Sequence, residues 1–398
     1  MKLKILHVNF SSTKGGASRA VYRINKALNK NKKINSKIIC IHNNLKDRYI
    51  INLPKLIKLE NFIFRVISFV VKKLMQILVK TDSHLSFNFF SNNYLLNYIN
   101  KYSADIVHLH WINGDTLSIR DVSKINKNLV WTTHDLWPLL GIEHIEIKNN
   151  SKIFKIVSKK IKNLKNKYWK NKINFVAPSD YVKKKIFLNF SESKRFISKI
   201  NHPINIDIWK PQKKKSQKKV ILFGALGGGN EFNKGKDLLY KILLNLEKLN
   251  TNFEINIFGE DNDNFFINKK YKAKFLGHVD NDKKLIQIYN NAKVFIVTSR
   301  FESFCQTALE AQSCGVPVVS FKTSGLLDII INHKTGYLIN NFNCKEFSKK
   351  VNFLLENNTA HRKQSYLARK NIIENFSEKN ISEKYINFYQ KILNKDEK

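Results

Sequence analysis

The chain has 398 residues, 43% of them hydrophobic and 12% aromatic, which excludes a disordered chain and predicts two packed domains. Its 70 basic and 31 acidic residues leave a formal charge of +39, part of which follows from a sequence dense in Lys, Asn and Ile. Such a field attracts anions: nucleic acid, acidic lipid or phosphorylated substrates.

MKLKILHVNF reads as a buried first strand. Its apolar stretch stops at Asn9 and runs into SSTKGGASRA, so no secretory leader is expected. VYRINKALNK follows as an amphipathic helix. The loop lacks the GxGxxG order, so a dinucleotide fingerprint is not supported. SKIICIHN is a second strand. In Pro54–Lys80, Leu56, Leu59, Ile63, Val66, Ile67, Val70, Leu74, Ile77 and Leu78 recur at helical spacing, interleaved with Lys58, Arg65, Lys72, Lys73 and Lys80. Two readings stay open: a helix lying in a membrane interface, or a core-packed helix with a basic outer face. No window offers about 18 uninterrupted apolar residues, so no transmembrane helix is expected.

Ala104–Gly114 and Leu129–His144 each read as a strand running into a polar loop. His108 and His110 alternate on the first. No third ligand has suitable local spacing, so zinc is not expected, and both read as structural or acceptor-lining. His134 and Asp135 stand at the carboxyl end of the second, where a ring N–H can meet a sugar hydroxyl or phosphate. NFVAPSDYVKKKI is a further strand, a turn at Ser179 and a helix. QKKKSQKKV is charged and poor in apolar residues, a surface connection that puts a domain boundary near residues 205–218.

The second domain opens with a strand and a Gly-rich loop from Gly224 to Gly235, with a helix from about Lys236. Asp261–Asp263 lie in a loop after the next strand and read as no metal site. Ala292–Ser299 is a buried strand. Glu302 lies on the loop after it, Glu310 on the following amphipathic helix, and VPVVSF returns as a strand. Strand, loop, helix, strand is one half of a doubly wound sheet, which binds ligands at the carboxyl ends of its strands. The helix N-terminus, with unpaired N–H groups and a positive dipole end, suits a diphosphate. Glu302 is placed to face a sugar, and Glu310, two turns in, to reach ribose hydroxyls. Taken alone, two such acids are more often solvated surface charges. Cys40, Cys305, Cys314 and Cys344 show neither CxxC nor metal spacing and read as reduced thiols.

Ser299, Glu302, Phe304, Glu310, Ala311, Gly315, Pro317, Val318 and Val319 together resemble the Glu–seven residues–Glu signature of the GT-B-fold retaining glycosyltransferases, the large family 4 or group 1. Cys305 departs from the family's usual Gly and narrows the approach of a phosphate. Lys234–Gly235 is similar to the family's Lys-Gly pair. Ala225 stands where an Arg is common, a job that Arg300 or Lys236 would take. Gly15–Gly16 with Ala17, Ser18 and Arg19 resembles the loop that closes over donor and acceptor. HLHW and WTTHDLWP resemble a subgroup from bacterial surface-polysaccharide gene sets (colanic acid, O-antigen, capsule). Leu139–His144 replaces that subgroup's Gly-Gly-Cys-His-like run. Leu276–Val279 matches the turn at the base, Gly325, Leu326 and Asp328 the diphosphate region, and Lys199–Pro211 the lead into the linker.

The resemblance implies an α/β GT-B fold: two Rossmann-like doubly wound domains facing across a cleft. Residues 1–204 would bind the acceptor, joined by 375–398 crossing back, and 205–374 the nucleotide sugar. The catalytic residues would be His134, Glu302 and Lys234. Gly16, Gly224, Lys234, Arg300, Glu302, Ser303, Phe304, Cys305, Gln306, Thr307 and Glu310 would hold the donor. Arg19, His110 and Asp135 would face the acceptor. Neither metal nor cofactor is implied. The expected reaction moves a sugar from a nucleotide-diphosphate sugar, with retained configuration, to a lipid-diphosphate-linked glycan. The enzyme would be cytoplasmic and peripheral, on the anionic inner face of a bacterial plasma membrane. The rival readings are a nucleic-acid-binding protein and a sugar-nucleotide epimerase of the same shape. The first lacks any RNA-recognition or helix-turn-helix signature, and its basic residues are spread along the chain, so no nucleic acid is expected as partner.

Overall fold

A computed structural model describes residues 2–13, 15–81, 83–147, 149–190, 195–212, 218–224, 232–249, 252–267 and 269–396. Ala225 and most of the Gly-rich loop that follows it lie outside the described residues. The chain divides into two compact units: Met1–Pro203 with Ile381–Lys398, and Ile204–Asn380.

The first unit is built on strands β1 (Leu3–Ser11), β2 (Ile34–His42), β3 (Ile50–Ile51), β4 (Ile106–Leu109), β5 (Asn128–Thr132), β6 (Ile173–Ala177) and β7 (Ile197–Lys199). Its helices are α1 (Gly15–Leu28), α2 (Lys55–Val79), α3 (Asn93–Lys101), α4 (Ile119–Lys124), α5 (Lys152–Trp169) and α6 (Asp180–Phe190). The strands are parallel in the order β3-β2-β1-β4-β5-β6-β7. The order reverses between β1 and β4, so the loops after these two strands diverge and leave a crevice at their carboxyl ends.

The second unit repeats the plan with β8 (Val220–Gly224), β9 (Glu254–Phe258), β10 (Lys272–Phe275), β11 (Val294–Val297), β12 (Val318–Phe321) and β13 (Gly336–Ile339), parallel in the order β10-β9-β8-β11-β12-β13. Its helices are α7 (Lys236–Lys248), α8 (Asp282–Asn290), α9 (Gln306–Ser313), α10 (Leu326–Ile329), α11 (Cys344–Glu356) and α12 (Asn358–Phe376). The reversal here falls between β8 and β11. Both faces of this sheet are covered, so its strands read as unbroken apolar runs such as VFIV and VVSF. One core joins α8, α9 and α12 to the sheet through residues such as Tyr289, Leu309 and Ile372. The other joins α7 and α11 through Leu239, Leu243, Phe347 and Val351.

The last helix, α13 (Glu378–Asp396), belongs largely to the first unit. Ile381, Tyr385, Tyr389 and Ile392 form a stripe at helical spacing. They are buried with Ile5, Ile106 and Val130 of the sheet and Ile24 of α1.

Helix α2 is docked the wrong way round for a core helix. Asn61 is 1% exposed and donates from Nδ2 to the carbonyls of Gly114 (2.9 Å) and Asp115 (2.7 Å). Arg65, one turn on, reaches His42 Nε2 at 2.7 Å and lies over the Phe10 ring. The Glu60 carboxylate accepts from the backbone N–H groups of Asn93 and Tyr94 at the start of α3. The side turned to the protein thus carries these polar groups together with the buried Ile57, Met75 and Val79. Leu56, Leu59, Phe62, Ile63, Val66, Ile67, Phe69, Val70, Leu74, Ile77 and Leu78 are all exposed, from 42% at Ile67 to 72% at Ile77. The core-packed reading of this segment is therefore corrected. No helix among the described residues is long and apolar enough to cross a membrane.

Candidate active site

In the second unit the two loops at the switch point are stitched together. Thr298 Oγ1 donates to the Lys234 carbonyl at 2.8 Å, and the Arg300 N–H donates to the Asn233 carbonyl at 2.7 Å. Gly235 makes this approach possible. Its φ is +71°, and a Cβ there would lie 2.2 Å from the Thr298 carbonyl oxygen. The result places Lys234 Nζ 2.7 Å from Glu302 Oε1, which also accepts from Ser299 Oγ at 2.8 Å. The Glu302 backbone is held on both sides, by Ser324 Oγ and the Gly325 N–H, each at 2.8 Å. Gly325 is pressed so close to this loop that a Cβ would lie 2.4 Å from the Ser303 carbonyl oxygen. Two residues 68 apart in sequence, the acid and the cation singled out from separate motifs, form one ion pair.

Helix α9 starts at Gln306 beside this pair, with Gln306 and Thr307 half-buried on its first turn. No side chain caps it in the usual way, and its first turn carries the positive end of the helix dipole, where an anion is favoured. Ser303 is half-buried as well. The Phe304 ring is 1% exposed and packs near Phe376, so Phe304 can meet a donor only through its backbone. Glu310 is 0% exposed and accepts from the Tyr289 hydroxyl at 3.0 Å. A Cβ at Gly224 would run into the Phe258 ring, so that glycine serves the contact between β8 and β9.

The two candidates for the missing Arg are both paired. Arg300 grips Asp237 with two bonds of 2.8 and 2.7 Å and stacks on Phe232. The hydrogen bonds from Arg300, and then its charge, outweigh burial and hold the Asp237 carboxyl below the usual range. Lys236 contacts Glu260 (2.5 Å) and Asp263 (2.9 Å). Burial works against its charge, but the two acids outweigh it and raise its pKa. Asp263 also accepts from the Tyr240 hydroxyl and caps the turn at Phe265, so this acid serves the fold.

Cys305, at the N-cap of α9, has φ +83° and ψ +83°, a left-handed conformation that costs a non-glycine residue about 1–3 kcal/mol. Burial, and then the Glu302 charge, push its thiol up to about 12, so it is no nucleophile. Cys305→Gly is expected to raise the thermal midpoint, and Cys305→Val to lower it by several degrees, because a β-branched residue tolerates positive φ least. A midpoint lowered equally by both in calorimetry would refute the strain.

In the first unit, register brings distant histidines together. β1 and β4 pair His7 with His108, and β4 and β5 pair His108 with Val130. Side chains two residues apart on a strand share a face, so His7, His108 and His110 lie on the α13 side of the sheet. No third ligand stands at local spacing, but the fold brings the sequence-distant His7 within metal-ligand distance of both His108 and His110. Their nitrogens, however, are already engaged. His7 Nδ1 meets His110 Nε2 at 2.8 Å and His7 Nε2 meets Ser36 Oγ at 2.9 Å. His108 meets the Tyr389 hydroxyl and Thr132 Oγ1 at 2.7 and 2.8 Å. His110 Nδ1 meets His134 Nε2 at 2.9 Å. The set is a hydrogen-bonded row of imidazoles. His110, 2% exposed, stands behind His134 in this row, and His134 is half-buried at its mouth with His202 stacked on it.

Asp135 accepts from Trp111 Nε1 (2.9 Å), His144 Nδ1 (2.7 Å) and the Trp137 N–H (3.0 Å). Burial pushes its carboxyl up, but His144 and these donors outweigh it, and the group ionises below the usual range. Behind it, Lys165 Nζ donates to the carbonyls of Trp137, Leu140 and Gly141, which explains how the LLGIEH turn is held. Arg19 is half-buried on α1, and Gly16 lies exposed at its start with open space around it. His7, Ser36, Tyr389 and His202 were not singled out from sequence. Polar residues inside apolar strands were the one signal for His7 and Ser36; Tyr389, on α13, and His202, after β7, had none of that kind.

Residues 204–371 match the family described as Glycosyl transferases group 1. The capsular polysaccharide biosynthesis glycosyltransferase CapM of Staphylococcus aureus is 25% identical over 138 residues, 35% of this chain and 36% of that protein. The chain spans only 29–36% of the length of the first four curated relatives it matches. An uncharacterized 41.2 kDa protein in the cps region of Klebsiella pneumoniae is 23% identical over 405 residues, 98% of this chain and 99% of that protein. The structure of a mutant S. aureus TarM in complex with fondaparinux, alpha-GlcNAc-glycerol and UDP covers 98% of this chain and 100% of its own, with a TM-score of 0.67 and 15% identity. That likeness carries the fold, which is GT-B: two Rossmann-like parallel-sheet domains.

Proposed function

We propose, for a chain whose residues 204–371 belong to the glycosyl transferases group 1, that it moves a sugar from a nucleotide diphosphate to a glycan acceptor carried on a lipid diphosphate, with retained configuration, in the building of a bacterial surface polysaccharide. The observation that carries this reading is the Lys234–Glu302 pair beside the uncapped start of α9. A diphosphate takes the first turn of α9 and draws Lys234 to itself as a point charge. Glu302, relieved of its cation, accepts from sugar hydroxyls. Glu310 leaves Tyr289 for the ribose. His134 acts as a catalytic residue, and Asp135 serves the acceptor. UDP in the TarM structure supports a uridine donor. No metal is assigned a role, because Asp263 is committed to Lys236 and Tyr240. Transfer is therefore expected to persist in excess EDTA. A thermal-shift screen over UDP-, GDP- and ADP-sugars tests the donor class, and a shift with none of them would end this reading. Turnover of the sugar nucleotide without acceptor would favour the epimerase.

The acceptor side of the reading places the enzyme on the anionic inner face of the plasma membrane. Helix α2 supports this: it turns its apolar side outward with Lys55, Lys73 and Lys80 exposed around it. Two copies of a chain of charge +39 repel each other, whereas acidic lipid attracts both. Each lysine near such a surface contributes about 1 kcal/mol, so replacing Lys72, Lys73 and Lys80 by Gln is expected to weaken binding to anionic vesicles about 100-fold at low salt. Vesicle sedimentation measures this. A triple variant that sediments like the parent would remove α2 from the reading.

A further inference from the structure

We infer that the half-buried indole face of Trp111 is the platform on which a pyranose ring of the acceptor stacks, and that Asp135 is a positioning residue that acts through it. The inference rests on the proposed glycan acceptor and names the subsite that holds it.

Trp111 stands just past the end of β4, one of the two strands between which the sheet order reverses. Its backbone is tied to the other strand, β1. The Trp111 N–H donates to Asn9 Oδ1 at 3.0 Å, and the Phe10 N–H donates to the Trp111 carbonyl at 2.9 Å. The indole therefore lies at the carboxyl ends of both strands, where a doubly wound sheet receives its ligand.

The one polar atom of the indole is already engaged. Nε1–H donates to Asp135 Oδ2 at 2.9 Å. The same oxygen accepts from His144 Nδ1 at 2.7 Å, and Oδ1 accepts from the Trp137 N–H at 3.0 Å. His144 is anchored in turn, with Nε2 2.9 Å from Ser86 Oγ. A carboxylate holding these donors fixes the plane of the indole, and its part in recognition is to orient that ring. What Trp111 offers a ligand is its π face. The residue is half-buried, so part of it meets solvent. Among the described residues no ring lies flat against it. Phe10 stands 5.6 Å away at 70°, His84 6.1 Å at 60° and His144 6.0 Å at 32°.

The surroundings select the occupant. An aromatic face is electron-rich. The C–H bonds on one side of a pyranose are polarised by the sugar's oxygens, so they suit that face, while the hydroxyls around its rim need polar partners. The setting of Trp111 is polar in this way. His84 is exposed beside the indole, and the Arg65 guanidinium lies over the neighbouring Phe10 at 5.0 Å. A polyprenyl chain on the same ring would strip water from these groups and return no hydrogen bond. The occupant is therefore a sugar of the glycan and not the lipid chain that carries it.

The test is indole 15N NMR on the full-length protein labelled at its five tryptophans. Trp111→Phe assigns the Trp111 signal by its loss. The probes are methyl glycosides of glucose, galactose, N-acetylglucosamine and N-acetylgalactosamine, titrated to high millimolar concentration, with UDP and geranyl diphosphate as controls. At least one glycoside is expected to shift the Trp111 signal and to leave those of Trp131, Trp137 and Trp169, in the same unit, in place. Asp135→Ala is expected to remove that shift, with the three reporter signals showing that the unit is still folded. In turnover, Trp111→Leu is expected to raise KM for the glycan acceptor about tenfold with KM for the donor unchanged, and Trp111→Phe, which keeps a π face, to stay close to the parent. A Trp111 signal that no glycoside moves would overturn the inference. So would a larger shift with UDP or geranyl diphosphate, a glycoside shift that survives Asp135→Ala, or an acceptor KM raised equally by Phe and Leu. The titration needs neither donor nor turnover. If no sugar nucleotide supports transfer, the functional reading falls while the platform stands on its own spectrum. Transfer that Trp111→Leu leaves at the parent's acceptor KM removes the platform alone.

Discussion

Lys234→Met is expected to lower kcat by about 100- to 1000-fold and to weaken binding of the nucleoside diphosphate product, while Glu302→Gln lowers kcat similarly but leaves product binding as tight or tighter. The asymmetry follows from the 2.7 Å pair. In the empty site each side chain neutralises the other, so a diphosphate must compete with Glu302 for Lys234. Removing the lysine deletes a charge that the leaving group needs in the transition state. Removing the glutamate's charge frees that lysine but deletes the acceptor for the sugar hydroxyls. The pair is only partly buried, at 25% and 15% side-chain exposure, so neither change should unfold the unit. Calorimetry with UDP and steady-state kinetics on both variants decide it. Product affinity lost equally in the two would mean that Glu302 helps to hold phosphate and the assignment is inverted.

Acidification is expected to unfold the first unit before the second. His7, His108, His110 and His202 are buried and neutral, with pKa values lowered first by burial. Each is a base whose folded value lies below its unfolded value of about 6.5. Below that pH the unfolded chain takes up protons that the folded chain refuses. Their contribution is fully present above pH 6.5 and is lost as pH falls toward each folded value. Each ring contributes a slope of about 1.4 kcal/mol per pH unit, so the four together approach about 5.5. Asp115, pushed up to about 6 mainly by burial, works the other way and offsets one of them between pH 6 and 4. The histidines of the second unit, His278, His333 and His361, are not buried. Trp131, Trp137 and Trp169 report on the first unit, and Trp209 on the second. Fluorescence of single-Trp variants from pH 7 to 4 should show the first group moving earlier. A single shared transition would refute the separate acid sensitivity of the first unit.

What was legible in the sequence was local. The strand, loop and helix around Glu302 follow one another within thirty residues, and Lys234–Gly235 opens a helix directly, so periodicity and motif spacing place them. Pairing across the chain was not legible. The bond from Arg300 to Asp237 spans 63 residues, and the row of histidines depends on which strands are neighbours. Helix α2 shows a different limit. Its periodicity revealed a helix with two unlike faces, but not which face the protein keeps. A few polar atoms settle that, Asn61 above all, because a buried amide must find carbonyls and those of Gly114 and Asp115 lie in only one direction.

The outward apolar ribbon of α2 and the charge of +39 give salt two opposed effects on the same molecule. Dilute electrolyte leaves lipid attraction long-ranged and keeps copies apart. Near 1 M the Debye length shrinks to about 3 Å, so the pull of acidic headgroups fades together with the repulsion that had prevented one ribbon from covering another. The ribbon itself is indifferent to ionic strength and still seeks cover. On the proposed membrane reading, salt that releases this protein from acidic lipid is expected to favour self-association instead, so a high-salt wash calls for a mild detergent.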